Sequence, residues 1–434
     1  MEKHIKWCAI QPLTGGMYLG TEKAIGHPAE FILTYPGNGD AKLDADGNVV
    51  SCGNEYNLMT YLDKVGRRPE YKVFNRKMFQ YDDDMHPEIL NHERWTINPD
   101  KDLDYTDMDV CVAVPVCSGL SNATIGSAEG KNERNCNMLW ITRYALAVIK
   151  PKIYIFENAP TFMGCRGDYI REEMESIALR LGYSIDYYKT DTKYHDNCQT
   201  RRRTFIIFYK KPYAPTMGYE HIETDYDEYF GRISKDASQM EPLDMENINC
   251  INYFCVEYLK DKFGSTWRDD VNQDIFKYLT KNNEFDEVIK FANEKMLGTE
   301  RTRKFLNHFI EHFKYKASMG KTVFHPLPNT LHDHLPVPSV MFKMIQGVIH
   351  PHEDRLLTIR ELLHLMGHPD DYELQGNVLK EYPKIGQNVP VRTAYWIVSE
   401  AIRAYNSEDK PIKIKKVRYF NNIKRREEPY LYNE

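Results

Sequence analysis

Side chains that can do chemistry follow, or lead into, three apolar runs of the chain. Cys117 ends the segment DVCVAVPVC, Glu157 ends IYIFE, and the arginines at positions 201–203 precede TFIIFY. A cysteine is nucleophilic as its thiolate, and a carboxylate that emerges from apolar residues needs a partner. A cysteine beside an apolar strand is equally typical of a protein core, and an arginine run is more often a solvated or phosphate-facing patch. These residues are therefore candidates whose role depends on the elements that position them.

The spacing of apolar residues predicts a doubly wound α/β domain around these candidates. Residues 5–210 alternate short apolar runs with longer amphipathic stretches, and the clearest strands are predicted over 109–114, 153–156 and 204–209. Ligands of open α/β sheets bind at the carboxyl ends of strands, which is where Cys117 lies. The loop after it, 118–134, is rich in small residues and is predicted to close over a substrate. Strand alternation directs Arg201 and Arg203 to one side and Arg202 to the other.

Helical patterns and turn residues divide the rest of the chain. Helices are predicted over 137–149, 169–181, 357–366 and 391–404. The Gly, Asn and Asp residues of 38–53 predict a hairpin inserted into the α/β domain. We therefore predict a catalytic domain over 1–210 and a mainly helical second domain over 211–354. A C-terminal segment, 355–434, is predicted to return to the catalytic domain and to end in a basic tail.

Composition restricts the class of protein. The 434 residues carry a formal net charge of −6, and nine cysteines without a CxxC pair indicate reduced thiols rather than disulfides or structural zinc. No apolar run approaches the roughly 20 residues needed to cross a bilayer, and no signal-peptide pattern begins the chain. We expect a cytoplasmic monomer with no membrane partner, from a bacterial or virus-infected cell.

Five segments, in their order along the chain, resemble motifs of the DNA cytosine-5 methyltransferase family. PVCSGLS is similar to its Pro-Pro-Cys motif, FENAP to Glu-Asn-Val and QTRRRTFII to Gln-x-Arg-x-Arg. RLLTIRELLHLMGHPDDYELQG resembles its Arg-Glu helix with the turn after it, and KIGQNVPVRTAYWIV resembles Gly-Asn-Ser-Val-Pro and its helix. The resemblance implies a Rossmann-like methyltransferase sheet. It also gives 211–354 the place of the family's target-recognition domain.

The resemblance implies a transferase that adds a one-carbon unit to carbon 5 of a cytosine flipped out of double-stranded DNA. It assigns Cys117 the addition at carbon 6, Glu157 the contact to ring N3 and the exocyclic amine, and Arg201 a hydrogen bond to the ring carbonyl. Arg203 is the fourth candidate catalytic residue, and with Arg202 it is also expected to hold phosphates. DNA contacts are expected at Ser118, Gly119, Ser121, Gln199 and Arg202.

The side that would face the one-carbon donor departs from the family pattern. Phe-x-Gly-x-Gly-Gly is replaced by QPLTGG, which lacks the aromatic residue and the first glycine. An acidic residue should hold the donor's ribose hydroxyls, and Glu55 can do so only if the hairpin is an insertion. Cofactor contacts are predicted at Gln11, Pro12, Thr14, Gly15, Gly16, Glu55, Gln387 and Asn388.

Two donors therefore stay open. S-adenosylmethionine would give 5-methylcytosine, whereas 5,10-methylenetetrahydrofolate would give 5-hydroxymethylcytosine after capture of water. No metal is predicted, because His325, His332 and His334 have no acidic or cysteine partner at metal-like spacing.

Two other functions are compatible with the same motifs. A catalytically inactive DNA-binding relative would explain the altered donor motif, but it would not need Cys117, Glu157 and Arg201 together. A transfer-RNA cytosine methyltransferase shares the catalytic motifs of this family. The length of 211–354 favours DNA over transfer RNA by analogy.

Overall fold

The computed structural model describes residues 4–34, 41–43, 49–73, 107–115, 133–248, 250–271, 275–318, 337–338 and 348–407, with four two-residue strands after them. Cys117, Ser118, Gly119 and Ser121 lie outside the described residues, as do His325, His332 and His334. The chain forms two compact units. The sheet unit comprises 1–190, 202–220 and 391–434, and the helical unit comprises 191–201 and 221–390.

The sheet unit is built on a seven-stranded sheet of order β5-β2-β1-β6-β7-β10-β8. Its strands are β1 Trp7–Ile10, β2 Phe31–Thr34, β5 Glu70–Val73, β6 Val110–Ala113, β7 Ile153–Asn158, β8 Ser184–Asp191 and β10 Arg202–Tyr209. A separate antiparallel pair, β3 Ala41–Leu43 and β4 Val49–Cys52, lies within the segment predicted as a hairpin. Strands β5, β2, β1, β6 and β7 run parallel, and β10 runs antiparallel to β7. This is the α/β sheet that the alternating pattern predicted.

The described α-helices of the sheet unit are α1 Gly16–Ile25, α2 Tyr56–Lys64, α3 Glu133–Tyr144, α4 Asp168–Leu181 and α14 Val391–Asn406. They include three that were predicted, with shifted ends, and two that were not, α1 and α2. The helix predicted over 137–149 begins four residues earlier and finishes as a π-helical turn, Ala145–Ile149. Lys150 follows it in a left-handed conformation and donates its N–H to the Ala145 carbonyl oxygen. Helix α14 packs closely on α1, because a Cβ on Gly20 would lie 2.5 Å from both the Ala394 Cβ and the Val391 carbonyl oxygen.

The helical unit is mainly α-helical. Its helices are α5 Tyr226–Phe230, α6 Met245–Ile248, α7 Cys250–Phe263, α8 Trp267–Val271, α9 Ile275–Asn282, α10 Phe285–Glu294, α11 Glu300–Ser318, α12 Ile359–Leu365 and α13 Val378–Glu381. Two short strands, β9 Gln199–Thr200 and β11 Val337–Pro338, pair parallel. An apolar core that includes Phe254, Leu259, Trp267, Leu279 and Val288 holds the central helices together.

A capping box defines the start of α12. The Thr358 hydroxyl accepts from the Glu361 N–H at 3.1 Å, and the Glu361 carboxylate accepts from the Thr358 N–H at 2.7 Å. The predicted helix 357–366 is therefore shortened at its beginning, because Thr358 is the cap rather than part of the helix.

Candidate active site

The parallel strands bring several predicted site residues to one edge of the sheet. In the register, Ala113 of β6 lies beside Ile10 of β1 on one side and Phe156 of β7 on the other. The residues that follow these strands therefore emerge at the same carboxyl edge, which is the usual ligand-binding edge of an open α/β sheet. The described chain leaves β6 through Val114 and Pro115, two positions before Cys117.

Glu157 is a buried carboxylate at this edge. It lies near the end of β7, is 4% exposed, and has its Oε1 2.6 Å from the Arg203 Nε. The two atoms form an ion pair that is poorly aligned for a hydrogen bond, so within the described part of the chain Oε1 receives no hydrogen bond. A buried carboxylate oxygen without a donor is costly unless a ligand supplies one. Glu157 is thus placed to accept from a bound substrate.

The strand register explains why Arg203 reaches Glu157. Phe205 of β10 lies opposite Glu157, and Arg203, two residues earlier, lies on the same face of the sheet. Such diagonal cross-strand neighbours are within reach of a long side chain. The Arg203 Nη1 also donates to the Arg202 carbonyl oxygen at 2.7 Å. The Arg202 side chain itself is exposed.

Arg201 has a different position from the one predicted. It is buried in the helical unit, where its Nη2 donates to the carbonyl oxygens of Asn388 at 2.7 Å and Gly386 at 3.2 Å. Its main-chain N–H donates to Asp191 Oδ1 at 2.9 Å. Main-chain carbonyls therefore bind one nitrogen of the guanidinium group, Nη2, and the expected contact of Arg201 with the base stays a prediction. Arg201 acts here as a clamp on the turn that contains Gly386 and Asn388.

Asn388 was predicted to contact the one-carbon donor, but its side-chain amide has partners within the helical unit. Its buried side chain donates from Nδ2 to His368 Nε2 at 2.5 Å, and its Oδ1 accepts from the Val389 N–H at 3.0 Å. Burial, aided by the charge of Arg360, lowers the pKa of His368 to about 3, so its ring is neutral and can accept this bond. The Asn388 amide is thus used within the helical unit. Gln387, its neighbour, is half-buried at the end of a helical turn.

Gln199 lies inside the helical unit, and its expected contact with DNA stays a prediction. Its side chain is fully buried, and Nε2 donates to the Leu365 carbonyl oxygen at 3.1 Å. Its main-chain N–H donates to Asn197 Oδ1 at 2.9 Å. Gln199 therefore joins β9 to the end of α12, where the exposed helix carbonyls need donors.

The turn after β1, residues 11–16, is the predicted donor-binding segment, and we call it the donor loop. Gln11 and Leu13 adopt left-handed backbone conformations with φ of 50° and 54°, and the Gly15 N–H donates to the Pro12 carbonyl oxygen at 2.9 Å. Thr14 and Gly16 are buried, and Gly16 begins α1. The Gln11 Oε1 atom is buried and has no hydrogen-bond donor among the described residues. This orphaned acceptor is consistent with a ligand at the loop.

Gly15 and Glu55 serve the packing of the donor loop. A Cβ on Gly15 would lie 2.5 Å from Leu58 Cδ1, so the space left by this glycine is filled by α2. The Glu55 carboxylate is 2% exposed and accepts from Thr34 Oγ1 and the Tyr71 hydroxyl, each at 3.3 Å. Burial raises the pKa of Glu55 to about 7, although hydrogen bonds from the main chain of Glu55 and Leu13 and from these hydroxyls oppose the increase.

Sequence reasoning missed three residues that contact predicted site residues, two in the sheet unit and one in the helical unit. Thr34 ends β2, Tyr71 lies in β5, and His368 follows α12. Each is a partner of a predicted site residue, but their spacing in the sequence carries no motif. The position of Thr34 at the end of a short apolar run, FIL, was the one usable signal.

Comparison with known proteins places this site in a family. Residues 78–403 match the model of the C-5 cytosine-specific DNA methylase family, and the chain belongs to that family. The chain is 21% identical over 335 residues to a type II methyltransferase of Bacillus paralicheniformis, covering 66% of this chain and 68% of that protein. It is 20% identical over 328 residues to DNA (cytosine-5)-methyltransferase 3 of Arabidopsis thaliana, covering 65% of this chain and 22% of the plant protein's length.

A solved structure of similar fold is the methyltransferase EhMeth of Entamoeba histolytica. It has a TM-score of 0.51 and 11% sequence identity, and the alignment covers 94% of this chain and all of the other. The likeness shows the fold, which is the Rossmann-like α/β fold predicted from the sequence. Within the described residues, no helix has both the length and the apolar character of a membrane span, and no cluster of three or more potential metal ligands is found.

Proposed function

We propose that the protein transfers a methyl group from S-adenosylmethionine to carbon 5 of a cytosine in DNA, through a covalent adduct with Cys117. The observation that carries this proposal is the buried Glu157 carboxylate, whose Oε1 lacks a hydrogen-bond donor and is paired with Arg203 at the carboxyl edge of the sheet. The chain that leaves the neighbouring strand β6 leads to Cys117 within a few residues. A planar base with an exocyclic amine would supply the missing donor.

The proposed reaction begins with addition of the Cys117 thiolate to carbon 6 of the ring, which moves an electron pair to carbon 5. Glu157 accepts from the exocyclic amine and orients the ring. Carbon 5 then forms a bond to the methyl carbon while the bond between that carbon and the donor's sulfur breaks. Carbon 5 loses its proton to a base, and the bond between carbon 6 and the Cys117 sulfur breaks to release the thiolate. The cytosine must leave the duplex for these steps, because none of these atoms is accessible in a base stack.

Arg203, rather than Arg201, is proposed to contact the ring carbonyl. Its guanidinium lies beside Glu157, so one bound base can meet both groups, and it keeps further N–H donors besides the Nε at the ion pair. A cation at this place stabilises negative charge as it spreads over the ring during thiolate addition. The Arg201 Nη2 atom instead donates to the Gly386 and Asn388 carbonyl oxygens.

S-adenosylmethionine, when bound, supplies an electrophilic methyl group. The residues of the donor loop fit such a ligand through the buried, donor-free Gln11 Oε1 at the carboxyl end of β1, which could accept from an amine or a hydroxyl. Arg202, exposed at the start of β10, is proposed to contact DNA phosphates. The helical unit is proposed to contain the target-recognition function.

A second donor is favoured by one observation. Leu58 fills the space beside Gly15, and the Glu55 carboxylate already has internal partners, so two features expected for an S-adenosylmethionine site serve packing instead. If the donor is 5,10-methylenetetrahydrofolate, the same carbon 5 nucleophile would bond to the methylene carbon. Loss of the carbon 5 proton and departure of tetrahydrofolate would leave an exocyclic methylene, and addition of water to it with release of the Cys117 thiolate would give 5-hydroxymethylcytosine.

Mass spectrometry of nucleosides tests these proposals directly. Cytosine-containing duplex DNA and transfer RNA are each incubated with the enzyme and either S-adenosylmethionine or 5,10-methylenetetrahydrofolate. A methyl gain in DNA with S-adenosylmethionine supports the main proposal. A hydroxymethyl gain with 5,10-methylenetetrahydrofolate would mean that the folate is the donor instead. Modification of transfer RNA alone would mean that transfer RNA, not DNA, is the substrate. Absence of product in every arm would favour a catalytically inactive relative.

Covalent trapping tests the nucleophile separately. DNA containing 5-fluorocytosine should form a stable adduct with the wild-type protein, because the fluorine at carbon 5 cannot leave as a proton does. Cys117→Ala should abolish both turnover and the adduct. An adduct that persists in this variant would reject the assignment of Cys117.

A further inference from the structure

Gln11 is a buried polar residue at the beginning of the donor loop. It directly follows Ile10, the last residue of β1, and is 4% exposed. Its Oε1 atom is shielded from solvent and accepts no hydrogen bond from the residues that the structure describes. A buried acceptor without a donor is unfavourable, and most such atoms in proteins have one. The burial of this amide therefore indicates that a ligand supplies the donor.

The main chain fixes the place of Gln11 at the carboxyl edge of the sheet. Its N–H donates to the Leu33 carbonyl oxygen at 2.8 Å, which joins the residue to β2. Its φ of 50° lies in the left-handed region, which residues other than glycine adopt at an energetic cost. Strained conformations of this kind are concentrated at ligand sites. Gln11 thus combines strain, a fixed main chain and an unpaired acceptor at the edge where ligands of parallel sheets bind.

The chemistry of an amide matches one group of the proposed donor. A glutamine side chain accepts through its oxygen and donates through its nitrogen, and with both atoms it can pair with the N6 amine and N7 of adenine. A ribose hydroxyl would use only one of these atoms. The ammonium group of the methionine part is matched better by a carboxylate, which carries the opposite charge. Among the groups of S-adenosylmethionine, adenine therefore fits the Gln11 amide best.

Gln11 also stands where the family pattern has an aromatic residue. An aromatic ring can stack on any base, because every base has a π face, so stacking does not distinguish an amine from a carbonyl. A buried amide does distinguish them, because a carbonyl in place of the amine would leave two acceptors facing each other without a proton. The replacement therefore changes how a purine can be recognised at this position.

We infer that Gln11 is a specificity-determining residue of the donor site, and that its Oε1 atom accepts a hydrogen bond from the exocyclic amine of the donor's adenine. The inference rests on the proposed S-adenosylmethionine donor. It gives the site a preference for adenine over a purine that has a carbonyl at the same ring position.

Calorimetric binding of S-adenosylhomocysteine and of S-inosylhomocysteine, which has a carbonyl in place of the adenine amine, tests this contact in the full-length protein. Wild type should bind the adenine ligand about tenfold or more tightly than the inosine ligand. Gln11→Met keeps the length of the side chain but removes both polar atoms, so its two affinities should differ by less than about threefold. Gln375→Met, at a half-buried glutamine of the helical unit, is the matched control and should keep the wild-type ratio.

Three binding results would overturn the inference while leaving the donor in place. They are equal binding of the two ligands by wild type, a preference of wild type for the inosine ligand, and an equal weakening of both ligands in Gln11→Met, which would place the contact elsewhere on the donor. If Gln11→Met does not fold, the comparison of the two ligands on wild type decides alone. Absence of binding of either ligand to wild type would instead reject S-adenosylmethionine as the donor, and this inference with it.

The melting temperature without ligand gives an independent readout. Gln11→Met should be at least as stable as wild type, because it leaves no unpaired acceptor buried. A clear decrease would show that the Gln11 amide has a partner in the free protein, which would contradict the inference.

Discussion

The Nε atom of Arg203 lies 2.6 Å from Oε1 of Glu157, and the pair joins strands β10 and β7 of one sheet. Both groups are largely removed from solvent, so each charge depends on the other before a substrate arrives. A base that enters beside them would meet an acceptor and a cation already held in place. Preorganised polar groups of this kind stabilise charge that develops during a reaction without a reorganisation cost.

Replacement of Arg203 should impair chemistry more than binding. Arg203→Gln removes the cation beside Glu157, and loss of one preorganised donor typically costs about 10²-fold in rate. We expect a decrease of that order in the single-turnover rate with saturating DNA and donor, with DNA affinity within about threefold of wild type. Rapid-quench kinetics and fluorescence anisotropy measure the two quantities.

Arg202→Gln is the control for this experiment, since Arg202 is adjacent in sequence but exposed. It should leave the single-turnover rate unchanged and reduce the salt dependence of DNA binding, with a slope about one unit smaller. If Arg203→Gln instead weakens DNA binding while the rate at saturation is retained, Arg203 is a phosphate contact and its pairing with Glu157 is structural.

Arg201→Gln should lower stability. The variant loses the charged donor to the Asn388 and Gly386 carbonyl oxygens, which are buried with it. Hydrogen bonds from charged groups contribute about 1.5–3 kcal/mol each, and we expect a loss of about that size in the free energy of unfolding of the helical unit, measured by urea denaturation. A variant with wild-type stability and a rate defect as large as that of Arg203→Gln would restore the original assignment of Arg201 to the base.

The assignment of these two arginines shows what the sequence could and could not predict. Strand alternation correctly gives Arg201 and Arg203 a different environment from Arg202, which is exposed. However, the chain passes from the helical unit to the sheet unit between residues 201 and 202. Alternation within one strand carries no information about such a boundary. The pairing of Glu157 with Arg203 depends on β10 lying antiparallel to β7, and a motif order does not specify strand direction.

Strands β6, β7 and β10 were predictable because each is largely an apolar run, as expected for strands buried on both faces, whereas β5 and β8 contain polar residues and are only partly buried. The partners of Glu55 were not, because Thr34 and Tyr71 are 21 and 16 residues away and contact it only through the sheet order. A resemblance to a motif likewise identified Asn388 as a site residue. The motif could not reveal that the Asn388 amide would form a hydrogen bond with His368.

Glu55→Gln should stabilise the protein at alkaline pH. The folded-state pKa of Glu55 is raised to about 7 from an ordinary value of 4.5, so between these values the folded protein keeps a proton that the unfolded chain releases. Stability therefore falls as pH rises through this window, by up to about 3 kcal/mol for a difference of that size. Gln resembles the neutral acid and lacks this dependence.

Thermal or urea unfolding at pH 5 and pH 8 measures this effect. The difference in unfolding free energy between Glu55→Gln and wild type should increase by about 2–3 kcal/mol between the two pH values. Glu70→Gln, at an exposed position, should show no such change. A constant difference across the pH range would mean that Glu55 is ionised in the folded protein at both values.

His368 should make the helical unit sensitive to acid in the opposite direction. Burial and the charge of Arg360 lower its pKa to about 3 from an ordinary value of 6.5. As pH falls below 6.5, the unfolded chain binds a proton that the folded protein excludes, so stability is lost on acidification at about 1.4 kcal/mol per pH unit. His368→Gln keeps an acceptor for the Asn388 amide but has no proton to gain. The free energy of unfolding of His368→Gln minus that of wild type should therefore be about 2 kcal/mol larger at pH 5 than at pH 7.5.

The exposed His308 of α11 provides a matched substitution, because His308→Gln removes an imidazole from the surface and leaves the buried His368 in place. Chemical denaturation followed by tryptophan fluorescence is suitable, since Trp267 is buried in the core of the helical unit. Equal pH dependence in His368→Gln and wild type would show that His368 is protonated in the folded state. A protonated ring can only donate hydrogen bonds. His368 Nε2 could then not accept from Asn388 Nδ2, and the hydrogen bond described between these two atoms would not form.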